Sequence, residues 1–481
     1  MTAATGDAAP DLDPEDWDAF RSIAHRALDG MIDHLQSIRE QPVWREPPSI
    51  TRERFNRDLP AKGRDLAEVV RDFDEHIKPF ATGNVHPGFM GWVHGAGTPV
   101  GMLAEMLSAG LNANCGGRNH IGLVLEEQIA TWMKQAFRFP ASATGLHVTG
   151  TSMANFLALV VARDAALADN TRRSGLWSQP KLVAYASEAA HVCVVKAVEA
   201  SGIGTAQLRS VPCDVEGRMR TDLLRSLIAK DEKDGLRPFL IVGTAGSVDI
   251  GAFDDLLELA DIAAESRLWF HVDGAFGALV VFSPQLAGLA AGIERADSIA
   301  FDFHKWAHVP YDAGFLLVKD GKAHEKAFAS PRSYLARGET GLSAGSRWPC
   351  DLGLDLSRGF RALKTWFTLE TFGTDLLGQC MVRNCELASY LADVLNRSSD
   401  FAVLAPVRLN IVCFAVVGRE SDDESGKLVA RMQIAGRAVL SLTKIGGAAA
   451  IRCAIVNHRT TMVDIDALVG DLRDESRRPS A

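Results

Sequence analysis

The chain has 481 residues, 47% hydrophobic and 23% charged, with 51 basic against 60 acidic side chains and a net charge of −9. That balance supports a sizeable core and excludes global disorder, which needs low hydrophobicity and high net charge. It also argues against a dedicated nucleic-acid binder, which carries a basic face.

At roughly 100–200 residues per domain, the length predicts two to four domains or sub-domains. No apolar stretch approaches the roughly 18 residues needed to cross a bilayer. Met1 to Pro14 is small and acidic, unlike a signal peptide. A cytoplasmic protein without a membrane partner is therefore expected. None of the eight cysteines forms CxxC, and several sit in apolar runs such as Ile411-Val412-Cys413-Phe414. Reduced, buried thiols and no metal site are expected.

In chain order, Asp13-Pro14-Glu15-Asp16 reads as a helix start, with a cap, an early proline and acids at the positive dipole end. Phe20, Ile23, Ala24, Ala27, Leu28, Met31 and Leu35 follow at helical spacing. Such an arm, residues 1–85, either wraps a partner subunit or is a plain peripheral helix. From Pro87 to Asp320, short apolar runs alternate with helical stretches. Strands are predicted at 145–149, 182–186, 239–243, 268–273, 298–303 and 314–318, with helices at 151–167, 190–201 and 254–266. The alternation predicts an α/β layer around a mainly parallel sheet, spanning 86–355. Residues 356–481 read as a small α+β domain. Its expected elements are helices at 357–372 and 375–395, a strand at 409–417, a helix at 427–442, a strand at 448–455 and a helix at 463–472. Residues 418–426 read as a solvated loop.

Four segments carry chemistry. In Ser298-Ile299-Ala300-Phe301-Asp302-Phe303-His304-Lys305-Trp306 an apolar strand ends at a lysine. Such a lysine is either ion-paired or a desolvated nucleophile for carbonyls, at the strand end where open α/β sheets bind ligands. In the run from Leu268 to Ala278 a strand delivers Asp273 into small residues, Gly274, Ala275 and Gly277. Asp273 either caps the turn or pairs with a flat ligand that the small residues admit. A strand running into Gly150-Thr151-Ser152 and a helix makes an anion cradle, or an ordinary helix start, and matches neither GxGxxG nor Walker A. His191 opens a helix as a cap, or as a neutral ring that stacks on a ligand. One ligand satisfies all four: a phosphorylated, flat pyridine aldehyde. Its phosphate takes the cradle, its ring stacks on His191, its nitrogen pairs with Asp273 and its aldehyde forms an imine with Lys305.

With these residues in place, the sequence resembles the group II pyridoxal-phosphate-dependent decarboxylases, including the aromatic-L-amino-acid decarboxylases, from about residue 15 to 475. His271-Val272-Asp273-Gly274-Ala275-Phe276-Gly277 and His304-Lys305-Trp306 carry the likeness, and Asp273 and Lys305 stand 32 residues apart.

The resemblance implies a fold type I pyridoxal-phosphate architecture: a mainly parallel seven-stranded sheet, a small C-terminal α+β domain and an N-terminal arm. It implies a homodimer with the active site at the subunit interface, acting on an L-amino acid. Lys305 would carry the cofactor, Asp273 would keep the ring nitrogen protonated, and Ala275 and His191 would flank the ring. Thr151, Ser152 and His304 would hold the phosphate, with Ser247 near the cofactor. Tyr334, in a mobile catalytic loop at about 325–345, would protonate the carbanion after CO2 leaves. Close relatives that make aldehydes carry Phe there.

The implied product is the amine of an aromatic amino acid, with aldehyde formation or an acidic substrate as alternatives. Substrate contacts are expected from Phe89 and Trp92, and from Asn112, Asn114 and Arg118, the latter segment lining the neighbouring subunit's site in the family. Asp302-Phe303 replaces Asn-Pro, Phe276 replaces Tyr, and Met153 stands where Glu is common. A carbon–carbon lyase or transferase using the same cofactor and an inactive scaffold are the readings from other classes.

Overall fold

A computed structural model describes residues 11–167, 171–330, 336–345 and 347–478. Its larger sheet has seven strands: β1 Thr144–Val148, β2 Leu182–Ser187, β3 Leu208–Val211, β4 Arg237–Thr244, β5 Trp269–Asp273, β6 Ser298–Asp302 and β7 Gly314–Val318. They lie in the order β1–β7–β6–β5–β4–β2–β3. Strands β3, β2, β4, β5 and β6 run parallel, and β7 runs antiparallel to both β1 and β6. Every residue of β2, β6 and β7 is buried. Continuous apolar runs, not alternation, follow because helices cover both faces.

The six strands expected in this region are present within a residue or two. β3 is the addition. Its Leu208-Arg209-Ser210-Val211 is half exposed at the sheet edge, so it carries no apolar run to read.

The second sheet is antiparallel: β8 Phe401–Val403, β9 Ile411–Val416, β10 Ser441–Ile445 and β11 Ala448–Ala454, ordered β10–β11–β9–β8. A helix over 427–442 does not form. The helix is Asp422–Ile434, Gly436 turns the backbone at φ 67°, and Ser441 already belongs to β10. The expected loop at 418–426 is partly this helix's first turn. Ser421 Oγ accepts the Glu424 N–H at 3.2 Å, and Asp422, Asp423 and Glu424 sit at the positive end of the dipole. The helices expected on either side of residue 373 form one element, Arg361–Asn396, interrupted at Gly373.

The first helix is Trp17–Gln36. Asp16, not Asp13, caps it, accepting the Asp18 and Ala19 amides at 2.9 Å. None of its residues is buried within the chain, and Trp17 and Phe20 stand exposed. No helix among the described residues is long and apolar enough to cross a membrane.

Two features join the layers. The segment 86–92 is threaded onto the small sheet: the Met90 N–H donates to the Val439 carbonyl, and the Ala454 N–H donates to the Met90 carbonyl, each at 2.8 Å. A buried ion pair, Glu126–Arg358, anchors the loop after the helix Pro99–Leu111, because Arg358 also donates to the Cys115 and His147 carbonyls at 2.9 and 2.6 Å. Burial opposes the Glu126 charge, but the adjacent guanidinium holds its carboxyl down at about 2. Removing one partner leaves a buried charge uncompensated. Glu126→Ala is expected to lower unfolding stability by about 3–5 kcal/mol, read from the denaturant midpoint.

Buried histidines set an acid limit on the fold. Desolvation pushes His271 and His324 down to about 3 and His304 to about 4. Each stays neutral in the native chain, whereas the unfolded chain takes up protons below its ordinary value near 6.5. Stability is therefore complete above about 6.5 and falls with pH, by roughly 1.4 kcal/mol per histidine per unit. Asp254, raised to about 6 by burial, offsets part of this, because its native form binds a proton that the unfolded form does not. These four groups together contribute a loss of about 4 kcal/mol between pH 7 and 5, seen as a lower urea midpoint.

Candidate active site

The carboxyl ends of the parallel strands point to one edge of the sheet, where the chain turns into loops and helix starts. A cleft of about 390 Å³ opens there. Its walls include Thr151 and Ser152 after β1, His191 after β2, Asp273 and Ala275 after β5, and His304 and Lys305 after β6. Close packing fixes this turn. A Cβ at Gly95 would overlap the His304 and Lys305 carbonyls, so glycine is required where that loop crosses the lysine.

Lys305 Nζ lies 3.0 Å from Asp302 Oδ2, so in this chain the lysine is ion-paired. The same carboxylate accepts the Thr151 N–H at 2.7 Å through Oδ1. Asp302 thus links the first amide of the helix Thr151–Ala166 to the lysine. Thr151 Oγ1 is buried there without a partner, and an unsatisfied buried hydroxyl at a helix start is what an anionic ligand relieves.

His304 Nδ1 accepts the Ala313 N–H at 3.0 Å. Because burial keeps the ring neutral, its proton sits on Nε2, facing the same region. His191 is both a helix cap and part of the cleft wall. Its Nδ1 caps the helix Val192–Ala200, accepting the Cys193 N–H at 3.3 Å, while its ring lines the cleft. Desolvation holds it below its usual value; Asp273 pulls it up and Lys305 down.

Asp273 is 5% exposed. Its Oδ2 accepts the Asn155 amide at 2.9 Å, and its Oδ1 accepts the Ala275 N–H at 3.3 Å. Oδ1 keeps acceptor capacity toward the cleft.

These residues fit pyridoxal phosphate: an orphaned hydroxyl at a helix start for the phosphate, an imidazole and small residues along the cleft for the ring, a carboxylate for the ring nitrogen, and a lysine beside them. The other expected contacts divide between the cleft wall and the packing behind it. Ser247 is 2% exposed and its Oγ accepts the Ala252 N–H at 3.1 Å; it closes a turn, and its neighbours Gly246 and Val248 line the cleft instead. Trp92 lines the cleft, half exposed, at φ 52°. Phe89 is buried behind it, stacked on His94 at 5.5 Å.

Asn112, Asn114 and Arg118 do not line this chain's own cleft as described. Asn112 ends the helix Pro99–Leu111 in a left-handed conformation, and Asn114 Oδ1 accepts the Gly116 and Arg358 amides, both at 3.0 Å. Arg118 stacks over Trp348 at 4.8 Å. Tyr334 lies outside the described residues.

His94 and Tyr311 also line the cleft and were not expected. Tyr311 packs on His304 at 4.2 Å, and desolvation pushes its hydroxyl up to about 12. His94 lies two residues beyond the segment 86–92, and the alternation with Trp92 was its only signal.

The chain matches the family model described as the pyridoxal-dependent decarboxylase conserved domain over residues 48–417, and it belongs to that family. It is a pyridoxal-phosphate-dependent amino-acid decarboxylase, a carboxy-lyase. It is 31% identical to an aromatic-L-amino-acid decarboxylase of Bacillus atrophaeus over 92% of each chain. It is 28% identical to a phenylacetaldehyde synthase of a Rosa hybrid cultivar, over 92% of this chain and 90% of that one. The solved Oryza sativa TDC with PLP and tryptamine shares the fold at a TM-score of 0.89 and 24% identity, covering 97% of this chain and 99% of that one.

Proposed function

We propose that the enzyme converts an aromatic L-amino acid to its amine and CO2 as a cytoplasmic homodimer. The observation that carries this reading is the convergence of Lys305, Asp273, His191 and Thr151 on one cleft whose outer wall is Trp92 and His94. The relatives named as aromatic decarboxylases support the substrate class. The exposed apolar face of the N-terminal helix, with exposed Leu103, Met106, Leu107 and Leu111 on the helix Pro99–Leu111, supports a subunit interface. Eight free thiols support a reducing compartment.

Pyridoxal phosphate, when bound, supplies the electron sink for the pair released from Cα. The residues of this chain do the rest. The Lys305 amine is the covalent attachment point, and Asp302 holds its ammonium when it is free. Thr151 Oγ1, Ser152 and His304 Nε2 would hold the phosphate, since Asp302 already takes the Thr151 N–H. Asp273 Oδ1 would keep the cofactor's ring nitrogen protonated, with His191 and Ala275 lining the space that the ring would take. Trp92 and His94 would orient the substrate side chain, and Asn112, Asn114 and Arg118 would contribute to the neighbouring subunit's pocket. Tyr334 would protonate Cα.

A competition assay with a panel of L-amino acids tests the substrate class. The highest kcat/KM is expected for an aromatic substrate; a preference for glutamate or aspartate would reverse the reading. Aldehyde formation is the second reading, favoured by the synthase relative. Tyr334→Phe is expected to cut amine formation by about 10²-fold or more, the scale of a lost acid catalyst, and to raise the aldehyde share. An unchanged amine yield would remove Tyr334 from the mechanism.

A further inference from the structure

Behind Asp273 runs a line of buried hydrogen bonds that the reaction described above does not use. Asn155, 3% exposed, lies one turn into the helix Thr151–Ala166 and donates its amide to Asp273 Oδ2 at 2.9 Å. Its Oδ1 lies 2.8 Å from His271 Nε2, and His271 Nδ1 lies 2.8 Å from Ser298 Oγ. Ser298 Oγ also accepts the Trp269 indole N–H at 2.8 Å. His271 and Asp273 alternate along β5 on one face, and Ser298 is the register partner of His271 on β6.

The direction of every bond is determined. The Asp273 carboxylate only accepts, so Asn155 turns its NH2 group to Oδ2 and its carbonyl to His271. The neutral ring therefore donates from Nε2 and accepts at Nδ1, so the Ser298 hydroxyl gives its proton to Nδ1 while its oxygen takes the Trp269 indole N–H. The chain Trp269→Ser298→His271→Asn155→Asp273 has one polarity, and aligned bonds of this kind strengthen one another. Burial keeps His271 neutral. The line therefore brings a donor to Asp273 without bringing a positive charge that would compete with the ring nitrogen. Cys193 Sγ, 3.7 Å from Oδ2, closes the same side.

We infer that Asn155 and His271 are positioning residues that fix Asp273, with Oδ2 occupied and Oδ1 presented to the ring nitrogen, so that this donor line sets how tightly the protein recognises a protonated pyridine. The inference rests on the reading that Asp273 faces that nitrogen.

The test compares the affinity of two ligands by absorbance titration. One is pyridoxal phosphate; the other is its 1-deaza analogue, in which C–H replaces the ring nitrogen. Asn155→Ala is expected to weaken pyridoxal phosphate at least tenfold while changing the analogue less than twofold. Ser298→Ala, which removes one oxygen from the line, should discriminate in the same direction, about threefold, and serves if Asn155→Ala does not fold. Equal weakening of both ligands, or no weakening of pyridoxal phosphate, overturns the inference. Asp273→Ala is the control. If it fails to discriminate the two ligands, the reading of Asp273 falls; if it discriminates and the Asn155 and Ser298 variants do not, only the donor line falls.

Discussion

Lys305→Ala is expected to abolish covalent retention of the cofactor and to lower decarboxylation by at least about 10³-fold, the scale on which enzymes lose activity when their nucleophile is removed. The amine leaves β6 at the mouth of the cleft, and no other described lysine lines that space. Its removal also leaves Asp302 without its cation at 3.0 Å, so a loss of fold could mimic a loss of chemistry. Lys305→Arg separates the two. It keeps a cation for Asp302 and for the packing around the turn, but offers no amine that condenses with an aldehyde. Both variants should fail to retain cofactor after borohydride reduction and dialysis, and the Arg variant should melt close to the parent. A Lys305→Arg protein that still fixes cofactor covalently would move the attachment point elsewhere.

Asp273→Asn is the second large effect. The substitution keeps the shape but removes the charge, so the carboxylate no longer holds a proton on the ring nitrogen. A charge-assisted bond contributes about 1.5–3 kcal/mol, and an electrostatic group aimed at developing charge contributes about 10²–10³ in kcat. The expected result is a fall of that size in kcat with a cofactor affinity weaker by about tenfold or more. Asn155 sharpens the expectation. Its NH2 group points at Oδ2, so an amide at 273 must turn its oxygen toward Asn155 and its NH2 toward the ring nitrogen, an arrangement that suits only the unprotonated ring. Asp273→Glu, one methylene longer, should retain the charge but misplace it, and is expected to keep more activity than Asn. A kcat for Asp273→Asn within threefold of the parent would contradict the role.

The parts of the site legible in the sequence share a local cause. Lys305, Asp273, Thr151 and His191 each follow an apolar strand or open a helix, so one-dimensional pattern places them at the sheet edge. The parts that were not legible depend on pairing between distant elements. Asn155 matters because its helix packs beside β5, and Asp302 because its carboxylate reaches across to the Thr151 amide. Ser247 had the right chemistry and the right neighbourhood, yet its hydroxyl turned inward to a backbone amide. The missed strands β3, β8 and β10 have short or half-exposed sequences whose pairing supplies what their composition does not. Asn112, Asn114 and Arg118 were read as lining the neighbouring subunit's pocket from the family resemblance. Within one chain, Asn114 braces its own loop and Arg118 lies on Trp348.

The most direct test of the account is the reaction itself. Holoenzyme supplied with a carboxyl-labelled aromatic L-amino acid should release labelled CO2 and the matching amine in equal amounts, with no oxygen consumed. Release of the aldehyde with oxygen uptake and ammonia, or an intact labelled carboxyl group in the product, would contradict it.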